Sequence, residues 1–158
     1  MKTIIAAVLV LFSSFSFGAS YDMKDPTELV GDRCAPGDIL FYGMNMKGTK
    51  DVLICQWGQK VFYSYGSTMV GGNEKEMMID LDASKVLFRI SDNDVVSGET
   101  MVIRNATHAY GIEHKVDLKT GDETNTLVVI QLSDKKVLAT IKLDPDFIVN
   151  NFRNNFVQ

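Results

Sequence analysis

Two histidines, twenty acids and one pair of cysteines carry most of the chemistry this sequence can offer. His108 and His114 lie six residues apart. On one extended strand, where side chains alternate, they would share a face and present two imidazoles to a metal. The nearest further donor, Glu113, would point the other way, so the ligand set is incomplete and no metal site is expected. Asp80 and Asp82 would also share a strand face, and Asp92 and Asp94 crowd one polar stretch. Either pair could do acid-base work, but a chain this rich in acids forms such pairs as ordinary solvent-facing surface. No Gly-x-Ser-x-Gly elbow occurs, and Tyr65-Gly66-Ser67-Thr68 reads as a strand ending, so the sequence assigns no catalytic residue and calls for no cofactor.

The cysteines point to compartment rather than catalysis. Lys2 gives a positive start, Ile4 to Phe12 run almost without a polar atom, and Ser16-Phe17-Gly18 offers the small-x-small pattern of a signal-peptidase site. Residues 1–18 are therefore expected to be a signal peptide and residues 19–158 a single exported domain, periplasmic or secreted, with no membrane segment after cleavage. In an oxidising compartment Cys34 and Cys55 pair as a disulfide, which stabilises by roughly 3 kcal/mol in the chain-entropy picture. Their spacing fits neither a CxxC redox motif nor a zinc knuckle. Loss of Lys2 leaves 15 basic against 20 acidic residues. Such a balance argues against nucleic acid and anionic membranes as partners, because both require basic patches.

The elements that must position these residues are mostly strands. Short apolar alternations punctuated by turn residues predict roughly eight antiparallel strands in one curled or barrel-like sheet. Lys47-Gly48-Thr49-Lys50 reads as a hairpin turn between Ile39–Met46 and Val52–Gln56, and Lys60–Tyr65 follows Gly58. Gly71-Gly72-Asn73 reads as a loop before Met77–Leu81. In Lys85–Ile90 the alternation turns Val86, Phe88 and Ile90 to the core. Further strands are expected over Met101–Arg104, Ala109–Leu118, Leu127–Leu132 and Val137–Leu143. At the end of the chain the period changes. Asp144, Pro145 and Asp146 suit a helix start, and Ile148, Phe152 and Phe156 recur at four-residue steps, which predicts a short C-terminal helix docked on the sheet.

The run Cys34-Ala35-Pro36-Gly37-Asp38-Ile39-Leu40-Phe41, then Val52-Leu53-Ile54-Cys55, then Phe62-Tyr63-Ser64-Tyr65-Gly66 resembles a pattern in small uncharacterised exported bacterial proteins. The resemblance spans Cys34 to Leu143 and carries no catalytic residues. It implies that Gly43 and Asp144 stand where those proteins have cysteines, so that one bridge is lost here and Cys34–Cys55 is kept. In a bacterial chain the sequon Asn105-Ala106-Thr107 has no consequence.

Two functions fit. One is a protein-binding module, an inhibitor or immunity protein against an exported cell-wall hydrolase, since inhibition needs presented loops on a stable frame rather than tuned nucleophiles. The other is a small exported enzyme or ligand carrier with a pocket that the sequence does not display. For the first, three polar loops are the expected contact surface. Gly71–Glu76 carries Glu74 and Glu76, Ser91–Thr100 carries Asp92, Asp94 and Glu99, and Lys119–Asn125 carries Asp122 and Glu123, against only Lys75 and Lys119. A basic exported protein suits them. Ser97-Gly98-Glu99-Thr100-Met101 resembles the Ser-Gly-x-x-Tyr loop of membrane-bound lysozyme inhibitors but lacks the tyrosine, and on that resemblance Ser97 and Gly98 join the candidates. For the cysteines the expected outcome is a non-reduced mature protein lighter than its reduced form by the mass of two hydrogen atoms. Two thiols titratable in freshly purified protein would exclude the bridge.

Overall fold

Alternating apolar residues bury one side of each strand, and the chain resolves that demand with nine antiparallel strands in one curled half-barrel sheet. The computed structural model describes residues 26–67 and 72–156; the expected signal peptide and its cleavage point lie outside them. The strands are β1 (Asp38–Asn45), β2 (Lys50–Trp57), β3 (Lys60–Ser67), β4 (Asn73–Asp80), β5 (Val86–Asp92), β6 (Val96–Arg104), β7 (His108–Asp117), β8 (Glu123–Gln131) and β9 (Val137–Asn150). Their order is β4-β3-β2-β1-β9-β8-β7-β6-β5, so two meanders are joined side by side through β1 and β9. Local turn chemistry sets the hairpins. Between β1 and β2, Gly48 takes a φ of 67° while the Asn45 side-chain oxygen accepts from the Thr49 and Lys50 amides at 2.9 and 3.2 Å.

The inner face gathers residues from every strand, among them Phe41, Ile54, Tyr63, Ile79, Val86, Ile103, Ile112, Leu127 and Leu143, into one apolar cluster. Tyr63 and Tyr110 meet across it with ring centroids 4.9 Å apart. A second, smaller core forms on the outer face of the first meander. There a short helix, α1 (Pro26–Val30), and a 3₁₀ turn (Gly31–Cys34) lay Val30 and Cys34 against Tyr42, Leu53 and Cys55. The expected disulfide, Cys34–Cys55, is present in this core. Arg33 reinforces it through a two-pronged contact with Asp51 (2.5 and 3.0 Å), a carboxylate only 2% exposed. Burial, and next Asp51, holds the neighbouring Tyr42 phenol well above its ordinary range. Gly37 is required by close approach, because a Cβ there would lie 1.9 Å from Cδ1 of Trp57, whose indole N–H donates to the Cys34 carbonyl at 2.7 Å.

The C-terminal region departs from the sequence expectation. Residues 144–150 continue β9, and the helix, α2, covers only Phe152–Phe156. The register with β1 moves from Asn45↔Leu143 to Gly43↔Ile148 through a bulge. Pro145 fits there because a bulge needs no ladder N–H, and Asp144 caps the Asp146 amide at 3.1 Å. An Asp-Pro-Asp run serves an Asx-type bulge as well as a helix start. Ile148, Phe152 and Phe156 nevertheless all pack on the inner core, the first from a strand and the others from α2. Ile90, expected in the core, is 38% exposed near the end of β5 at the sheet's edge. Phe152 is fully buried and packs on Phe41 and Phe88 at centroid distances of 5.3 and 5.8 Å. Phe152→Ala is therefore expected to lower stability by about 3–5 kcal/mol, read from the urea denaturation midpoint with an unchanged slope.

Candidate functional site

The loop expected over Ser91–Thr100 is largely strand. Only residues 93–95 turn; Asp92 ends β5, and Ser97, Gly98 and Glu99 lie in β6, with Gly98 and Glu99 buried. The cause is register. Asp92 pairs with Ser97 and Ile90 with Glu99, so the polar run is zipped into a hairpin instead of being presented. Glu74 and Glu76 likewise belong to the exposed edge strand β4, and Glu123 opens β8, while Asp94 and Asp122 do stand in turns.

Three of the candidate residues converge on the C-terminal helix. Arg153 of α2 donates from Nη2 to Asp92 at 3.0 and 3.3 Å and to the Ser97 hydroxyl at 3.2 Å, and from Nε to Glu99. Ser97 donates to Asp92 at 2.7 Å, and Asn150 donates to the other Glu99 oxygen at 2.9 Å. The Ser97 hydroxyl, followed by Arg153, holds the Asp92 carboxyl below its ordinary range. An acid so stabilised in its ionised form is a poor proton donor at neutral pH. Ser97 directs its proton to a carboxylate, and the group fastens α2 to β5 and β6. Sequence reasoning missed Arg153 and Asn150. The available signal was an arginine placed between the core residues Phe152 and Phe156.

His108 and His114 both lie on the unbroken strand β7, where six residues of extended chain separate them by about 20 Å. They cannot share a metal ion. His108 contacts the Thr107 hydroxyl at 2.7 Å, and His114 contacts Asn125 at 2.7 Å across the Glu99–His114–Asn125 row of paired positions. Asn125 is 3% exposed, and its amide nitrogen has no hydrogen-bond partner among the described residues. Among the described residues no group of three His, Cys, Asp or Glu side chains could hold a metal ion. Asp80 pairs with Lys85 at 3.6 Å, and Asp82 caps the Ser84 amide, which keeps its carboxyl below the ordinary range. Asn105 is used locally, its oxygen accepting from the Thr107 and His108 amides.

A different surface emerges where the turns meet. The Leu118 amide donates to the Val95 carbonyl at 2.8 Å, tying the β5–β6 turn to the β7–β8 turn. Val95 is 41% and Leu118 54% exposed. Separately, Glu123, Lys142, Pro145 and Met46, itself 59% exposed, border a shallow groove of about 270 Å³. Glu123 lines this groove, while Asp94 and Asp122 stand in the two turns themselves; none of the three joins an ion pair among the described residues, whereas Glu74 is held by Lys50 at 2.6 Å and Glu76 by Asn73. The signal for the apolar members was legible as Val95 and Leu118 inside otherwise polar turns.

Comparison with known protein families, curated proteins and solved structures gives no significant match to this chain. For the Arg153 cluster the pH dependence has a definite sign. A folded-state Asp92 pKa below the unfolded value contributes stability that is complete above about pH 4 and fades as pH falls through the lowered folded value. Asp92→Asn is thus expected to lower the urea midpoint at neutral pH, with the gap to the parent closing below about pH 4. A gap independent of pH would mean that Asp92 charge does not hold the helix.

Proposed function

We propose that the protein is a small exported binding module that associates stoichiometrically with another exported protein bearing a basic surface, as an inhibitor or immunity protein of a cell-wall hydrolase does. The observation that carries this reading is the pair of bonded turns in which Val95 and Leu118 are exposed, with Asp94 next to Val95 in one turn and Asp122 followed by Glu123 closing the other. Exposed apolar side chains edged by charge have the composition of a binding patch, with the apolar centre supplying affinity and the acids steering a basic partner. The frame supports it, since the disulfide and the Arg33–Asp51 contact pin one end of the described chain and the Arg153 cluster pins the other, so little order is lost on association. The turns also carry the acids that the Arg153 cluster does not consume. Of the nine residues singled out in the sequence, this reading keeps Asp94, Asp122 and Glu123 as contacts and assigns Asp92, Ser97, Gly98 and Glu99 to the frame.

The test is titration of lysozyme-type hydrolases with the mature protein. Activity is expected to fall to a plateau at a fixed molar ratio, with an association rate that slows as salt rises. Leu118→Ala is expected to weaken binding about tenfold through faster dissociation, and neutralising Asp94, Asp122 and Glu123 together is expected to slow association. Turnover of peptidoglycan by the purified protein alone would replace this reading with an enzymatic one.

A further inference from the structure

The two outer strands of the sheet, β4 and β5, are consecutive in the chain yet do not pair with each other. Only residues 81–85 join them, so the two open edges are held near one another at that point. The Arg104 amide donates to the Lys85 carbonyl at 2.7 Å, and the Leu132 amide donates to the Thr107 carbonyl at 2.9 Å. These bonds bring the end of β6 and the β8–β9 turn to the same place. A cleft of about 490 Å³ results, within the range that small molecules occupy.

Its chemistry is amphipathic. Met78 (42% exposed) and Leu132 (36%) supply an apolar surface, while Ile79 at the same place is buried in the inner core. At the margin Lys85 pairs with Asp80 at 3.6 Å, and Arg104 pairs with no acid among the described residues. In a chain of net charge −4, an arginine at an apolar cleft with no carboxylate paired to it among the described residues is a fork of donors matched to an incoming one. Asp80 at the same margin disfavours a second negative charge on the ligand.

We propose that this cleft binds a monoanionic amphiphile, a fatty-acid-like carboxylate whose head group is held by Arg104 and whose tail lies on Met78 and Leu132. The proposal does not depend on the protein-binding reading, since none of these residues belongs to the turn cluster. Decanoate, below its micellar concentration, is the probe, titrated into the mature disulfide-bonded protein and followed by amide chemical shifts. Saturable one-to-one binding with shifts centred on Met78, Arg104 and Leu132 is expected. Arg104→Gln should weaken it about tenfold while leaving the urea midpoint unchanged, because the side chain is exposed and unpaired. Leu132→Glu should abolish it. Decanol and decyltrimethylammonium should bind markedly less well. Binding of decanol equal to that of decanoate, indifference to Arg104→Gln, or no saturable binding would each overturn the proposal.

Discussion

Strand β9 hydrogen-bonds to β8 over its first half and to β1 over its second, and Leu143 is paired with both Asn125 and Asn45. Every other strand pairing joins sequence neighbours. Each meander alone would be a four- or five-stranded sheet with two open edges and one unburied face. Joined through β9, they curl so that Phe41, Ile54 and Tyr63 from one pack with Ile103, Tyr110 and Ile112 from the other. The long-range cost of closing the chain between residue 38 and residue 150 is offset by that shared core.

The two ends of the described chain exploit the curl differently. Before β1, the chain lies on the outer face, where alternation has left Tyr42, Leu53 and Cys55 unburied by the sheet itself, and a covalent bond and a two-pronged ion pair hold it there. After β9, α2 turns into the inner core, with Phe152 fully buried and Arg153 carrying charge to Asp92 and Glu99 at the core's edge. A helix of five residues is not stable by its own hydrogen bonds. Packing and that charge contact hold it.

These devices divide the polar residues into two populations. Asp51, Asp92, Glu99 and Asp82 are bound to internal donors and serve the frame. Asp94, Asp122, Glu123 and Arg104 lack such partners among the described residues, and they stand where apolar side chains are exposed, at the turn cluster and at the seam between β4 and β5. A charge without an internal partner beside uncovered apolar surface is where binding costs least in broken contacts.

Strand alternation, turn residues and the cysteine pair were legible in the sequence, because each is decided by neighbours within a few residues or by the absence of any other thiol. That locality gave the mainly antiparallel class, the hairpin at Gly48 and the Cys34–Cys55 bond. It also misled. Asp144-Pro145-Asp146 has one local chemistry that serves either a helix start or a bulge, and only the pairing of β9 with β1 chose the bulge. Ser97, Gly98 and Glu99 are polar enough to read as loop, yet cross-strand register with β5 and β7 drew them into the sheet, where a charge from fifty-four residues away completes Glu99. Histidine spacing was read correctly as a shared face and still carried no site, because side-chain direction repeats every two residues whereas distance accumulates along the strand. Sequence alone settled what each segment prefers; the tertiary fold decided which charges find partners, since that depends on register between strands that no local pattern encodes.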